Sequence, residues 1–279
     1  MSESSNAASL SIEASSTLPR FPVTHPHRPA SLSSAPFLAA LLLMTAASSA
    51  RAEDTPPSGW GIGIGAGVQT RPYKDIGTET RVLPILSYEN RWVRIAGLGV
   101  DFKLGSAGPV SFALGARYAL NGYSADDAPI LNGMEDRKGG LWLGPSAVWR
   151  NGIADLSAEV LGDVSGHSKG TQFRLALDRS FNSGAFRFTP RIAAIWRDKK
   201  YNDYYYGVRL GEVRADRPFY EGTASTDIEI GLRSAYALSR QHALFLDLSA
   251  TSFGKGVKDS PLVDRSSQSA VRLGYLYRF

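Results

Sequence analysis

Hydrophobic and polar positions alternate along several long segments of this chain. The last segment is the clearest, because apolar or aromatic side chains occupy every second position up to the C-terminus; they are Val271, Leu273, Tyr275, Tyr277 and Phe279. A period of two residues places one face of a β-strand in apolar surroundings and the other in polar surroundings. The pattern therefore predicts amphipathic β-strands and an all-β fold.

Eleven segments carry enough of this alternation to be candidate strands. Many of them run to about 10 to 13 residues, which exceeds the usual strand of about 5 or 6 and suits the ~9 to 11 residues that cross a bilayer at a tilt. Their length favours a transmembrane β-barrel over a soluble β-sandwich. The candidates are residues 60–70, 81–88, 91–104, 110–121, 141–149, 153–164, 171–181, 185–197, 227–238, 243–251 and 269–279.

The number of strands follows from closure. Lipid tolerates no open sheet edge, so the strands must form a closed antiparallel barrel, and single-chain bacterial barrels use an even number of strands. We therefore predict twelve strands, with ten as the alternative. The error in the count of eleven lies either in residues 91–104, where Gly97 and Gly99 could mark a break, or in a strand missed between Tyr123 and Gly140.

The connections between the candidate strands differ in length on the two sides of the predicted membrane. With the C-terminus in the periplasm, the long connections 122–140, 198–226 and 252–268 fall on the outer side. Residues 150–152 and 239–241 form short periplasmic turns. Outer-membrane barrels have this asymmetry. Aromatic residues that would form interfacial girdles lie near segment ends, at Trp60, Trp92, Trp149, Trp196, Tyr275 and Tyr277.

An apolar segment rich in small residues, 35–47, precedes the first candidate strand. Arg28 lies ahead of it, and Ala50 and Ala52 occupy the two positions that a signal peptidase recognises. The segment is too short to cross a membrane as a helix. We predict that residues 1–52 are a cleaved signal peptide with a disordered leader, and that residues 53–279 form the barrel in the outer membrane of a Gram-negative bacterium.

Composition excludes several classes of function. The 31 Lys and Arg residues exceed the 26 Asp and Glu residues only slightly, which does not predict a nucleic-acid-binding surface. Cysteine is absent, and the predicted mature chain has only His167 and His242, so no transition-metal site or other cofactor site is predicted. An outer-membrane hydrolase would have to use one of these histidines, and both are expected in solvated turns or strand ends. We predict that the chain is not an enzyme.

Charged residues fall on the face of the strands that would line the barrel. They either line a path for small charged solutes or pair into a network that plugs the interior. The residues on which this choice depends most are Arg174, Arg187, Arg191, Asp227, Glu229 and Arg233.

The C-terminal strand resembles an assembly signal. Tyr275, Tyr277 and the terminal Phe279 are similar to the pattern by which the barrel assembly machinery recognises its clients through strand addition. We therefore expect this machinery and outer-membrane lipid among the partners of the chain.

Four further motifs lie in the connections between the candidate strands; they are Tyr73-Lys74-Asp75, Asp136-Arg137-Lys138, Tyr204-Tyr205-Tyr206-Gly207-Val208 and Asp259-Ser260-Pro261-Leu262-Val263-Asp264. They resemble motifs of the MltA-interacting protein (MipA/OmpV) family of outer-membrane proteins. The tyrosines could bind a partner or pack the loop onto the barrel rim. The candidate loop contacts are Tyr204, Tyr205, Tyr206, Asp259 and Asp264.

The resemblance implies a scaffold that links a lytic transglycosylase to a peptidoglycan synthase, and it brings no catalytic residues. Other family members are regarded as osmotically responsive surface proteins or adhesins. The predicted function is therefore interaction or scaffolding at the cell envelope, and the alternatives are a narrow pore for small charged solutes or a surface adhesin. A murein scaffold must contact the periplasm, so its contacts would lie on the short turns and the lower rim.

Overall fold

The computed structural model describes residues 59–279, and its strands form one antiparallel sheet. The predicted signal peptide and its cleavage site after Ala52 lie outside the described residues. The strands are β1 (Gly59–Thr70), β2 (Thr78–Glu89), β3 (Val93–Ala96), β4 (Gly99–Ala107), β5 (Val110–Ala119), β6 (Gly140–Arg150), β7 (Asp155–Asp163), β8 (Thr171–Asp178), β9 (Phe181–Ser183), β10 (Phe186–Arg197), β11 (Ser225–Ala237), β12 (His242–Ser252) and β13 (Ser267–Arg278).

The sheet closes into a barrel of twelve strands, as predicted. Apart from β8 and β9, neighbours in sequence pair with each other, β1 pairs with β13, and the pairing of β10 with β11 completes the ring. The segments β8 and β9 both pair with β10, at Arg191–Arg197 and Phe186–Phe188 respectively. They are therefore two halves of one strand that is interrupted between Asp178 and Phe181.

The candidate strand 91–104 is wrong as one strand, because it is a hairpin of β3 and β4. Gly97 adopts φ +58°, a left-handed conformation that glycine reaches without strain, and the chain reverses there. Residues between Tyr123 and Gly140 hold no further strand; they contain the 3₁₀ turns Ala125–Asp127 and Pro129–Leu131. The break at the glycines thus accounts for the missing twelfth strand.

The two faces of the barrel wall follow the alternation in the sequence. Outward positions form an apolar belt, on which Trp60, Trp149 and Trp196 are exposed near strand ends, whereas Trp92 lies in the turn between β2 and β3. Inward positions carry glycine, small and charged residues, as the register of β10 with β11 illustrates: Arg191 lies opposite Gly231, and Ala193 opposite Glu229. Lipid thus meets apolar side chains, and the charges face the lumen.

Both ends of the barrel chain lie at the same end of the barrel, where Gly61 pairs with Arg278, and this is the end predicted to face the periplasm. The turns at this end are short, and the long connections lie at the opposite, outer end, as the strand directions require. The outer connections include the helices α1 (Lys199–Tyr206) and α2 (Lys255–Lys258) and the 3₁₀ turn Leu210–Glu212. No helix within residues 59–279 is both long and apolar enough to span a membrane.

The predicted role of the terminal Phe279 in assembly can be tested. Its side chain is 71% exposed, and only its backbone N–H joins the sheet, donating to the Trp60 carbonyl oxygen at 3.0 Å. We expect Phe279→Ser to reduce the amount of folded barrel in the outer membrane of cells, because the assembly machinery loses its signal. The heat-modifiable band in membrane fractions measures this amount.

The matched control is Phe181→Ser, which removes an exposed phenylalanine from β9. It should leave the amount of folded barrel unchanged. Both variants should refold equally well from urea into detergent. A Phe279→Ser chain that reaches the membrane at the normal level would contradict the assembly role.

Candidate functional site

The outer connections fold together over the mouth of the barrel and form one structure, which we call the outer plug. It consists of residues 71–77, 120–139, 198–224 and 253–266. Its centre is apolar and fully enclosed, which is the mark of a folded core rather than of separate surface loops. The buried members include Tyr73, Tyr123, Leu131, Met134, Tyr201, Tyr205, Tyr206, Val208, Phe253, Val257 and Leu262.

The four motifs that resemble the MipA/OmpV family meet inside the outer plug. The Tyr73 ring stacks on Tyr206 with 5.5 Å between centroids, and the Tyr73 hydroxyl donates to the Tyr205 carbonyl oxygen at 3.1 Å. Tyr73 also pairs with Val263 through a β-bridge. The Ser260 hydroxyl donates to the Tyr206 carbonyl oxygen at 2.6 Å. The motifs are therefore the contacts that join the loops to one another.

A buried ion pair holds the largest two loops together. The Arg137 guanidinium donates to both carboxylate oxygens of Glu212, at 2.8 and 2.9 Å, and to the Tyr204 carbonyl oxygen at 2.7 Å. The Glu212 carboxylate also accepts from the backbone N–H groups of Glu135 and Arg209, each at 3.0 Å. A buried pair is stable only when its remaining hydrogen-bonding groups are satisfied, and this pair meets that condition.

A second arginine closes the same region of the outer plug. Arg217 is 1% exposed, and its guanidinium donates to the backbone carbonyl oxygens of Glu212, Ile130 and Asn132. These carbonyl groups belong to turns that cannot pair with a strand. The sequence did not predict a role for Glu212 or Arg217, and it indicated Arg137 only as part of the Asp136-Arg137-Lys138 motif. Their partners are distant in sequence, so no local pattern reveals these contacts.

Burial raises the pKa of the central tyrosines, so their hydroxyls remain protonated donors. For Tyr206, burial raises the pKa to about 12, and the pKa values of Tyr73 and Tyr205 are raised for the same reason. Tyr205 and Tyr206 are buried and cannot form an exposed contact surface, which corrects their place among the candidate loop contacts. Asp259 and Asp264 are exposed.

Of the candidate loop contacts, Tyr204 has an intermediate position. It is partly buried, and its hydroxyl accepts from the Lys138 backbone N–H at 2.9 Å. Tyr204 therefore belongs to the packing of the outer plug, and Asp259 and Asp264 are the candidates that remain accessible.

Below the outer plug, inward charges of the strands pair into a network. Glu229 accepts from Arg174 at 2.9 Å and from Arg191 at 3.0 Å. Asp247 accepts from Arg191 at 2.9 Å, from Arg233 at 3.1 Å and from Arg272 at 3.3 Å. Two carboxylates thus lie among four arginines, so the network has a surplus of positive charge.

The remaining predicted lumen charges lie at opposite ends of the barrel. Asp227 is 1% exposed, pairs with Arg197 near the outer end, and accepts from the Gly254 N–H at 2.8 Å, which ties the outer plug to the wall. Arg187 lies at the periplasmic end, where its guanidinium donates to the Asn182 side-chain oxygen at 3.0 Å. It pairs with no carboxylate within the described residues.

The two histidines lie at opposite ends of the barrel. The His167 Nδ1 lies 2.7 Å from the Gly139 carbonyl oxygen, and the His242 Nδ1 lies 2.5 Å from the Tyr275 hydroxyl. Neither contacts a carboxylate that could orient it as a catalytic base. Among residues 59–279, no group of three or more His, Asp and Glu side chains is placed to hold a metal ion.

Comparison with known proteins identifies the family. The family model described as MltA-interacting protein MipA matches residues 62–279. The chain belongs to this family. It is 28% identical over 244 residues to the MltA-interacting protein of Escherichia coli K12, covering 86% of this chain and 96% of that protein. It is 26% identical over 223 residues to the outer membrane protein Omp26La of Vibrio anguillarum, covering 79% of this chain and 86% of that protein.

The NanC porin matches 78% of this chain and 100% of its own, with a TM-score of 0.44 and 10% sequence identity. The closed sheet and the outer membrane proteins among its relatives make this member of the MipA family an outer-membrane β-barrel, and its family motifs form the outer plug.

The Arg137–Glu212 pair predicts an acid-sensitive outer plug. Burial alone would raise the pKa of Glu212, but the N–H groups of Arg209 and Glu135 and the Arg137 guanidinium outweigh it and lower the pKa below 4.5. Ionised Glu212 thus stabilises the plug above pH 4.5, and this contribution is lost as the pH falls through the lower folded-state pKa. Glu212→Ala should destabilise the plug at neutral pH by about 3 to 5 kcal/mol, because Arg137 stays buried without a counter-charge.

Native-state proteolysis of the outer loops in membrane vesicles measures the free energy of plug opening. In the wild type this free energy should decrease on acidification, and in Glu212→Ala it should be low already at neutral pH. The control is Glu221→Ala, which removes an exposed partner of Lys199 in the same loop and should have little effect. Equal protection of Glu212→Ala and the wild type at neutral pH would contradict the stabilising role.

Proposed function

We propose that this chain is an outer-membrane interaction protein that binds murein-processing enzymes at its periplasmic rim. The observation that carries the proposal is that the periplasmic turns present exposed apolar side chains among arginines, whereas the aromatic centre of the outer loops packs one loop against another. The outer plug also has exposed apolar side chains, at Leu210 and Phe219. The name of the Escherichia coli relative, MltA-interacting protein, supports a partner among lytic transglycosylases. A peptidoglycan synthase is the second partner that the family resemblance implies.

The periplasmic turns carry exposed apolar side chains suited to anchoring a partner. Trp92 in the turn after β2 is 59% exposed, Ile153 in the turn after β6 is 72% exposed, and Leu238 in the turn after β11 is 53% exposed. Arg91 stacks on the Trp92 ring at 4.6 Å. Tryptophan and arginine are enriched among residues that dominate binding energy at protein interfaces.

The charge at the same rim is positive. Its half-buried carboxylates are few, at Glu89, Asp155 and Asp178. A basic rim attracts a partner with an acidic surface and the carboxylates of murein peptides, and such complementarity raises association rates and fixes orientation. The exposed arginines are Arg91, Arg150, Arg179, Arg187, Arg240 and Arg278.

A second candidate function is a narrow pore for small anions. The observation in its favour is the positive surplus around Glu229 and Asp247, which four arginines surround. The outer plug opposes this function, because Trp142 and Leu161 of the wall pack with it and are 2% exposed. Conduction would require the plug to open.

Reversing the charge of the rim tests the interaction function. The double variant Arg91→Glu and Arg240→Glu should weaken capture of a purified lytic transglycosylase of the envelope by about tenfold, because favourable charge pairs become repulsive. Surface-immobilised barrel in detergent, titrated with the enzyme at low and high salt, gives the dissociation constants.

The matched control reverses two exposed lysines of the outer plug, Lys255→Glu and Lys258→Glu, and should leave capture unchanged. Equal loss in both double variants would indicate nonspecific attraction. In the contrary outcome, the wild-type barrel binds no murein enzyme and yet conducts ions steadily in a planar bilayer with its outer plug intact. That result would contradict the interaction function and support the pore.

A further inference from the structure

The barrel wall has an opening on its lipid-facing side, which we call the lateral window. The strand β3 has only four residues and pairs with β2 only at Ser87–Glu89, whereas β2 continues to Thr78. The Gly97–Leu98 turn forms the lower margin of the window. At its upper margin, the Arg81 guanidinium donates to the Leu120 carbonyl oxygen at 3.0 Å.

The edge of β2 that borders the window has unpaired backbone groups. The Gly97 N–H donates to the Leu86 carbonyl oxygen at 2.9 Å, and the alternation of a strand therefore turns the backbone polar groups of Pro84, Val82 and Thr80 toward the window. Within residues 59–279 no strand pairs with these three residues on that side. Proline lacks an N–H, so Pro84 removes one donor from this edge.

A cavity of about 350 Å³ lies behind the window, and its wall is mainly apolar. Leu83 points inward from β2, lines this cavity and is 36% exposed. The glycines of β1 make room for the cavity: a Cβ on Gly65 would lie 3.0 Å from the Ile85 Cδ1. Other apolar side chains in the wall are Leu98, Tyr118, Leu120 and Phe245.

A polar chamber of about 220 Å³ adjoins this cavity beneath the outer plug. The two spaces share Gln69, Asn121 and Arg272 in their walls, so they are direct neighbours. Arg71 and Arg197 also line the chamber, and their buried Nε atoms have no hydrogen-bond partner among the described residues. Buried N–H donors without a partner favour an acceptor in the chamber.

The charges lining the two spaces favour an anion. The lining residues include four arginines and two glutamates, Glu79 and Glu229. Arg71 and Arg81 share Glu79 as their partner, whereas Arg197 and Arg272 pair with Asp227 and Asp247 of the wall. Arg272 is the least constrained of these arginines, because its guanidinium bond to Asp247 is long, at 3.3 Å, and its side chain is 49% exposed. The four arginines are Arg71, Arg81, Arg197 and Arg272.

We propose that the lateral window admits a long-chain fatty acid from the membrane and holds it in the wall. Its carboxylate lies in the polar chamber near Arg272, and its hydrocarbon chain lies along Leu83 and Ile85 and leaves through the window. A cavity of about 350 Å³ is at the lower end of small-molecule sites, which suits one acyl chain rather than the several chains of a membrane lipid. The proposal is independent of the periplasmic rim.

Photo-crosslinking tests the proposal on the purified barrel in phospholipid nanodiscs. The probe is a long-chain fatty acid with a photoreactive diazirine in its chain, and peptide mass spectrometry identifies the labelled residues. We expect labels on Leu83, Leu98 and Tyr118, and competition by unlabelled fatty acid. The concentration of unlabelled fatty acid that halves the labelling gives the affinity of the barrel for the fatty acid.

A matched pair of variants tests the position of the chain. Leu83→Trp fills the cavity and should reduce labelling about tenfold, because contacts of about two methylene groups are lost. Val82→Trp places the same side chain on the lipid-facing side of β2, where Val82 is 61% exposed, and should leave labelling unchanged. If the Leu83→Trp variant does not give the heat-modifiable folded form, Ile85→Trp is used in its place and should have the same effect on labelling.

Arg272→Gln tests the position of the carboxylate. The two unlabelled competitors are a long-chain fatty acid and the alcohol of the same chain length. Arg272→Gln should weaken competition by the fatty acid about tenfold and leave competition by the alcohol unchanged, because only the acid carries a charge. The control Arg240→Gln removes an exposed arginine of the periplasmic rim and should affect neither competitor.

Two results would overturn the proposal. Labels spread evenly over outward residues such as Ile64 and Leu232, without competition, would mean contact with bulk lipid only. Because the chain has no cysteine, Thr80→Cys introduces a single thiol. Disulfide-linked dimers of this variant in native membranes would mean that a second copy covers the β2 edge. Neither result bears on capture of enzymes at the rim.

Discussion

The requirement that backbone N–H and C=O groups be paired inside lipid governs this structure. It explains why β10 must pair with β11 to close the ring, and why the interrupted strand formed by β8 and β9 keeps β10 as its partner on both sides of the break. It also makes the outer half of β2 conspicuous. There the short β3 leaves a strand edge without a neighbour, and Pro84 lies where a missing donor is an advantage.

Closure of the wall creates an interior that must be stabilised by other means. Inward charges are costly unless each has several partners, and the structure supplies them: Asp247 accepts from three arginines, and Glu212 accepts from Arg137 and two backbone N–H groups. Hydrophobic packing of the outer plug adds to these polar contacts. The plug is thus a small folded core built on top of the barrel, and removing one partner affects several loops together.

Alternation of side chains was sufficient to predict the barrel, because a period of two directly reflects the two environments of the wall. It marked eleven segments, and the even number of strands that bacterial barrels use gave the twelfth. The outer plug could not be predicted in the same way. Its contacts join residues far apart in sequence, such as Tyr73 and Tyr205, separated by 132 positions, and Arg137 and Glu212, separated by 75. Tyr205 and Tyr206 illustrate the consequence, since a tyrosine run in a loop is compatible with an exposed surface and with a buried core.

The division between a filled outer end and an exposed periplasmic end constrains transport as well as binding. Axial passage would require the plug to leave the wall. Asp227 of the wall holds the plug through the Gly254 N–H, and Arg71 of the plug donates to the Glu79 carboxylate of β2 at 3.0 Å. The lateral window is bordered by the same plug only at Arg81 and Leu120. A molecule in the membrane can therefore reach the interior from the side without disturbing the packed core, whereas a solute in water cannot enter from above.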